Sequence, residues 1–457
     1  MTDTVYDMVI LGAGSGGYAA ALRGAQLGLR VALIEADKIG GTCLHRGCVP
    51  TKAILHSAET AEAVREAAAV GVRAVYQGLD MPAVQKYKNG VISRMYKGLQ
   101  GLVSSRGIEV VSGWGRLVAR DTVEAGGRRY RGRNVVLASG SLSKTMGQEI
   151  SGPVMTSDQA LELDRVPASA VVLGGGVIGV ELASAWASMG SRVTIIEALP
   201  HLVPNEDEAI SKQLERAFRK RRIAFRTGTM FDSVERTAAG VKVRTADGRT
   251  YDAEVLLIAV GRGPATANLG YEEAGVAMDR GFVLTDGYGR TNVEGVWAVG
   301  DIVPGVQLAH RGFAQGIAVA EKIAGLDPRP VDDVLVPKVT FCEPEIASVG
   351  LSEARAAEVH GAENVTTAEF NVAGNARSQI LGTQGFVKLV SLKDGPIVGF
   401  HAIGARMGEQ VGEGQLIVSW EADAHDVASL VHAHPTQNET IGEAAMVLAG
   451  KSLHNHG

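Results

Sequence analysis

The sequence predicts an α/β protein: two Rossmann-like dinucleotide-binding domains and a smaller α+β domain towards the C-terminus. Three observations carry that expectation. The glycine turn Gly12-Ala13-Gly14-Ser15-Gly16-Gly17 follows an apolar run and opens a helical pattern. A second such turn, Gly174 to Gly179, stands 162 positions later in the same surroundings. After a proline-rich break the pattern changes to strands alternating with helices. With 457 residues there is length for roughly three domains, each with its own core.

Val5–Leu11 reads as a short buried parallel strand, followed by the glycine turn, a helix over Tyr18–Gly28 and a strand Arg30–Ile34 ending at Glu35. In such a unit Gly12 permits the tight turn and Gly14 lets the backbone approach a pyrophosphate. Gly17 allows close helix–strand packing, and the amides of the helix N-terminus face the phosphate charge. Val64–Leu102 is read as largely helical, and Ile108–Ser112, Arg116–Val118, Val123–Glu124 and Asn134–Ala138 as short strands. The second unit runs from Val171–Leu173 through a helix to Gly190, then Arg192–Ile196 and Glu197. Gly12, Gly14, Gly17, Gly28, Arg30, Val31, Ile34 and Glu35 all recur in it without a gap. Next come the strands Val241–Thr245 and Glu254–Ala259, joined through the hairpin signal Asp247-Gly248. Gly295–Asp301 reads as a strand ending on a glycine and a carboxylate. Leu326–Pro337, with three prolines, reads as a linker. Beyond it, Glu345–Val349, Phe386–Ser391 and Pro396–Ile403 are strands, and a helical tail follows His432–Glu439. The expected domains are 1–150 and 266–334 for the first nucleotide domain, 151–265 for the second and 335–457 for the last.

The formal charge of -5 gives no reason to expect nucleic acid or an anionic membrane as partner. The basic run Arg216–Arg222 reads as a solvated helix face. No basic region followed by a long apolar run opens the sequence, and no stretch suits a membrane span. Three cysteines in a chain of this size argue against a secreted, disulfide-stapled protein and for a reducing cytoplasm.

Two of those cysteines, Cys43 and Cys48, follow the double glycine Gly40-Gly41. In a cysteine-poor chain the pair points to redox chemistry; the bland alternative is two structural thiols. An i,i+5 pair on a regular helix is too widely separated for a disulfide, so a bend at Gly47 and Pro50 is expected. Lys52, one helical turn beyond Cys48, would favour a thiolate. Cys342 has no sequence partner and reads as a buried thiol. Near the C-terminus, His434 with Glu439 five residues on is a candidate base with an orienting carboxylate. His432 reads as structural, and no metal site is expected.

The ordered motifs GAGSGGY, GGTC–GCVPTK, GGGVIGVE, AVGR, TNVEGVWAVGD, LAH, PEIASVG and HAHPT–NETIGEAA resemble those of the flavin-dependent pyridine nucleotide–disulfide oxidoreductases over essentially the whole chain. Within that family they are most similar to the enzymes that oxidise dihydrolipoyl groups. The resemblance implies FAD on the first unit at Gly12, Gly14, Gly17 and Glu35, with Thr42, Lys52, Gly115, Asp301 and Ala309 completing the pocket. It implies NAD on the second unit at Gly174, Gly176, Gly179, Glu181 and Glu197, with Val234 and Gly261 nearby. Cys43 would be the substrate-facing half and Cys48 the flavin-facing half of a redox-active disulfide, and Lys52 would pair with Glu181. His434 and Glu439 would reach the disulfide from the other subunit of a homodimer. The implied partner is a lipoyl carrier domain of a 2-oxo acid dehydrogenase or glycine cleavage complex. Glu197 suits a free ribose hydroxyl and would repel a 2′-phosphate, which favours NAD over NADP.

The chain departs from the family's commonest pattern in places. His45-Arg46 lie between the two cysteines, Ser141–Ile150 lacks the usual Pro-Gly-Leu connection, and Gln315 stands where an acid is common. A rival reading within the enzymes is a reductase of a small disulfide (glutathione or mycothiol type) or of a quinone. A rival outside them is a docking subunit without catalysis.

Overall fold

The computed structural model describes residues 5–454, so the first four residues, on which the reading of the chain start bears, lie outside it. The chain divides into two compact units. The first comprises the chain up to Ala53 together with Pro82–Lys144 and Arg262–Asp333; the second comprises Ile54–Met81, Thr145–Gly261 and the chain from Val334 on.

The first unit is built on a seven-stranded sheet. Its path runs Glu109–Ser112, Val31–Glu35, Val5–Leu11, Arg128–Leu137, Thr122–Ala125 and Gly115–Ala119, and Val296–Ala298 pairs with Arg128–Leu137. The four strands nearest the glycine turn are parallel, with Val9 opposite both Ala32 and Val135. The apolar runs of Val5–Leu11 and Val31–Glu35 and the last residues of Arg128–Leu137 suit burial on both faces, and Met8, Val9, Ile10, Ala32, Leu33 and Val135 have no exposure. The helices Ser15–Gln26 and Ala309–Ile323 pack on this sheet. They approach through glycines: a Cβ at Gly316 would overlap the carbonyl oxygen of Gly16.

The second unit contains three sheets. A parallel sheet runs Ala224–Arg226, Arg192–Ile196, Ser169–Leu173, Val255–Ile258 and Val154–Met155, and beside it lies the antiparallel ribbon Phe231–Thr237, Gly240–Thr245 and Thr250–Ala253. The five-stranded antiparallel sheet of the C-terminal segment runs Lys338–Thr340, Glu345–Gly350, Ile397–Gly404, Phe386–Leu392 and Val365–Asn371. Helices Met407–Ser419 and Glu439–Leu448 cover it around Phe370, Phe400 and Ile441. Behind it, Lys388 Nζ is buried between Asp207 Oδ1 at 2.9 Å and Glu353 Oε2 at 2.6 Å.

Three sequence expectations need correction. The expected strand Glu254–Ala259 is the second of two strands: Thr250–Ala253 makes the hairpin, and Val255–Ile258 crosses into the parallel sheet. The alternation of the first and the wholly apolar run of the second fit one-sided and two-sided burial. The helix expected from Val64 starts at Cys48 and ends at Glu66; Met81–Ser105 is a separate helix, the break falling at Gly71 in the left-handed region. In the basic run, Arg221 is not solvated. Its guanidinium donates to Ser184 Oγ, Ser188 Oγ, Glu62 Oε2 and the carbonyl of Glu343 at 2.6–3.2 Å.

Candidate active site

Two short helices hold the thiols. Gly41–His45 carries Cys43, and Cys48 opens the helix Cys48–Glu66 after a break at Arg46-Gly47. The break lets an i,i+5 pair meet. A Cβ at Gly47 would stand 3.1 Å from the Thr42 carbonyl oxygen, so the tight return favours glycine. Both cysteines are free thiols here, Cys43 half-buried and Cys48 exposed. The thiol hydrogen bond to Cys48, then burial, push the Cys43 pKa well above the ordinary range, while Lys52 pulls it down. The expected thiolate-favouring cation is thus present, but in this dithiol form the neighbouring sulfur outweighs it. Tyr18, near Cys43, has its phenol pushed up to about 12, chiefly by burial.

His45 and Arg46 are anchors of this loop. The His45 ring packs edge-on against Tyr96 with centroids 5.0 Å apart, and its Nε2 lies 2.9 Å from the Ile39 carbonyl. Arg46 pairs with Asp37 at 2.8 Å.

The two glycine turns share the same geometry at their three matching glycines. Gly12 and Gly174 have φ of 102° and 100°, and a Cβ on either would overlap a carbonyl oxygen of the next strand. At Gly17 and Gly179 a Cβ would overlap the first glycine of the same turn. At Gly14 and Gly176 a Cβ would meet nothing within 4 Å, so each turn presents open backbone where a pyrophosphate can approach. The acids repeat as well. Glu35 accepts from the amides of Ala13 and Asp37 at 2.7 and 2.9 Å, and Glu197 from those of Gly175 and Leu199 at 2.6 and 2.7 Å. Each carboxylate is thereby held beside its turn, an arrangement that fits a dinucleotide at both sites.

The remaining expected contacts are placed as follows. Thr42 lies beside Cys43 on its helix, Gly115 begins the edge strand Gly115–Ala119, and Ala309 begins the helix Ala309–Ile323. Asp301 sits in the turn Gly300–Ile302 and accepts a 2.5 Å hydrogen bond from Ser141. Ser141 Oγ in turn accepts from Arg262 Nε at 2.7 Å. The strand Ser141–Ser143 pairs with Arg262–Pro264 in place of the missing Pro-Gly-Leu connection. Gln315 accepts from the Gly300 amide at 2.8 Å, a bond a carboxylate would also make. In the second unit, Glu181 is buried and accepts from the Phe341 amide at 2.8 Å. Val234 lies in the antiparallel ribbon, and Gly261 follows the strand Val255–Ile258 with a φ of 106°. Cys342 is buried and its thiol is pushed up by that burial.

His434 Nδ1 lies 2.8 Å from Glu439 Oε1, and the other carboxylate oxygen accepts from the Thr436 amide at 2.7 Å. The ring is 72% exposed. Burial raises the Glu439 pKa, but the Thr436 amide and His434 outweigh it and hold the group below the ordinary carboxylate range. With Nδ1–H donating to Glu439, the neutral ring presents Nε2 as a bare acceptor. His432 pairs with Glu413 at 2.7 Å and is mostly buried, as a structural ring would be. Glu413 was not singled out in the sequence, and Ser141, Arg262 and Tyr18 stood there only at the edges of quoted segments with no role assigned, because none stands in a spacing that marks chemistry.

The thiols lie in the first unit and the imidazole–carboxylate pair in the second. Among the described residues, no helix is long and apolar enough to cross a membrane. Residues 6–316 match the family described as pyridine nucleotide-disulphide oxidoreductase, and residues 336–445 match the dimerisation domain of that family. A dihydrolipoyl dehydrogenase of Bacillus subtilis is 37% identical over 99% of both chains. Among solved structures, LpdA from Mycobacterium tuberculosis superposes with a TM-score of 0.90 at 27% identity, over 96% of this chain and 99% of that one. The HOCl-induced flavoprotein disulfide reductase RclA from Escherichia coli gives 0.87 at 26% identity, over 97% and 100%.

Proposed function

The chain belongs to the pyridine nucleotide-disulphide oxidoreductases, and from that premise we propose that it is a dihydrolipoyl dehydrogenase using FAD and NAD. The observation that carries the reading is full-length similarity joined to an intact thiol pair and an intact His434–Glu439 pair.

The reaction starts from Cys43 and Cys48 as a disulfide. His434 Nε2 takes the proton of a dihydrolipoyl thiol, and the resulting thiolate attacks Cys43 Sγ. The Cys43–Cys48 bond breaks and Cys48 leaves as the thiolate. The second lipoyl thiol then attacks the mixed disulfide, the lipoyl ring closes, and Cys43 is released. Two electrons have moved from the lipoyl dithiol to the protein dithiol. What FAD supplies when bound is acceptance of those electrons and their delivery as hydride to NAD⁺. Glu35, the open backbone at Gly14 and Asp301 would hold the flavin dinucleotide; Glu197 and the open backbone at Gly176 would hold NAD. Lys52 with Glu181 would order the flavin side. The dimerisation domain supports a homodimer. In this reading His434 serves the thiols of the partner subunit, in a cytoplasmic complex whose lipoyl carrier domain is the substrate.

The test is an anaerobic titration of the purified flavoprotein with NADH and NADPH, followed by assays with dihydrolipoamide and with small disulfides. The expected result is preference for NAD⁺ with dihydrolipoamide. Faster turnover of NADPH with glutathione disulfide would contradict the reading, and a Cys48→Ser variant with full dihydrolipoamide activity would contradict the thiol mechanism.

A further inference from the structure

A cavity of about 750 Å³ opens on the first unit, away from the glycine turn of that unit. It is bordered by Val5, by the turn at Arg120-Asp121, by the middle of strand Arg128–Leu137 and by the loop from Arg290 into strand Val296–Ala298. Val5 begins the seven-residue strand whose other end leads into Gly12. The cavity therefore sits at the N-terminal ends of the parallel strands, roughly 20 Å from the first glycine turn.

The wall holds Arg120, Arg131, Arg133 and Arg290 against the carboxylates Asp121 and Glu294. Three of the guanidinium groups face acids: Arg131 with Asp121 at 2.7 Å, Arg133 with Asp7 at 3.0 Å and Arg120 with Glu294 at 3.5 Å. The Arg290 guanidinium has no carboxylate partner among the described residues, while its amide donates to Asp286 Oδ1 at 2.9 Å. Its guanidinium lies over the Trp297 ring, 5.2 Å from the centroid. The indole is fixed in turn, its Nε1 donating to Asn134 Oδ1 at 3.0 Å, and Asn134 Nδ2 donating to the Asp7 carbonyl at 3.2 Å. A guanidinium stacked on a clamped ring keeps its N–H edge available for two parallel bonds to an oxyanion. Within the lining four arginines face two carboxylates, with Asp7 and Asp286 standing behind them against Arg133 and the Arg290 amide, and the volume is within the range of small-molecule sites.

We propose that this cavity binds the phosphate groups of a small, multiply charged ligand, with Arg290 as the bidentate anchor and Arg131 and Arg133 as flanking charges. The phosphates belong to a nucleotide or to a free polyphosphate. The site is independent of the dithiol reaction, so its failure would leave the proposed activity untouched.

The test is isothermal titration of the FAD-loaded enzyme, saturated with NAD⁺ so that the second glycine turn is filled, using pyrophosphate and ADP as probes. One saturable site per chain is expected, weakening as salt rises. Its Kd should increase at least tenfold in Arg290→Ala, with dihydrolipoamide turnover unchanged. Arg290→Lys keeps the charge but cannot make the paired bonds, and should lose most of the same affinity. Tighter binding of ADP would identify a nucleotide; equal or tighter binding of pyrophosphate would identify a free polyphosphate. No saturable binding of either probe, or binding that both variants leave unchanged, overturns the proposal.

Discussion

The carboxylate of Glu439 grips the His434 ring through one oxygen and the amide of Thr436, two residues beyond that ring, through the other. A base held this way needs no rearrangement before it accepts a proton. His434→Gln is expected to lower turnover with dihydrolipoamide by about 10²–10³-fold. Because the ring is 72% exposed, the unfolding free energy should change by less than about 1 kcal/mol. Glu439 has a folded pKa below its unfolded value of 4.5, so its pairing contributes above that pH and is lost only as pH falls through the lower folded value. Steady-state kinetics with parallel denaturant titration would separate these effects.

Gly176 and Gly179 stand three residues apart and should respond oppositely to alanine. Gly179→Ala forces a Cβ onto the Gly174 carbonyl and should cost about 3 kcal/mol of stability. Gly176→Ala meets no protein atom within 4 Å, so the fold should persist while the KM for NAD⁺ rises about tenfold or more. Thermal unfolding and NAD⁺ kinetics on the two variants read the contrast directly.

Ser141 bridges Arg262 and Asp301 through one hydroxyl. Ser141→Ala removes the bridge and leaves the Asp301 carboxylate free to turn. Dissociation of FAD is expected to quicken by about tenfold, equivalent to about 1.4 kcal/mol, as followed by the rise of free flavin fluorescence after dilution.

His401 is buried, its Nε2 donating to the Leu351 carbonyl at 2.9 Å while Nδ1 has no partner. Burial holds its pKa below the usual 6.5, against the pull of Asp207 and Glu206 and with Lys338 adding to it. Above pH 6.5 the ring is neutral in both folded and unfolded states. Below it the unfolded chain takes up a proton that the folded chain refuses, so stability falls as the solution is acidified. The slope approaches about 1.4 kcal/mol per pH unit until the folded pKa is reached. Urea titrations at pH 7.5 and 5.5 should show a smaller difference for His401→Gln than for the native chain.

Much of this was legible in the sequence because the glycine turns are local. A turn, a helix start and an acid at the strand end lie within a few dozen residues, and each carries its own geometric reason. The break between Cys43 and Cys48 was legible too: a bend was expected at Gly47 and Pro50, and it falls at Arg46-Gly47, while Pro50 lies in the first turn of the next helix. Bonds across sequence were not. Ser141 and Asp301 are 160 residues apart, and neither predicts the other. Arg221 sits in a charge run that says nothing about which member turns inward, and it was the tertiary partners Ser184, Ser188 and Glu62 that claimed it. The strand switch at Ala253–Val255 was missed because alternation and continuous apolarity adjoin there without a turn signal.

The strand Val296–Ala298 completes the first sheet against residues 135–137, about 160 positions earlier in the chain. During synthesis at roughly 5–20 residues per second, that edge waits on the order of ten to thirty seconds for its neighbour. The whole second glycine turn is made in the interval. A nascent chain therefore carries an open, apolar strand edge while Thr145–Gly261 of the second unit is being translated, and such an edge is a template for pairing with another chain. A ribosome-bound fragment ending before Val296 should bind a chaperone that a fragment ending after Ile323 no longer needs.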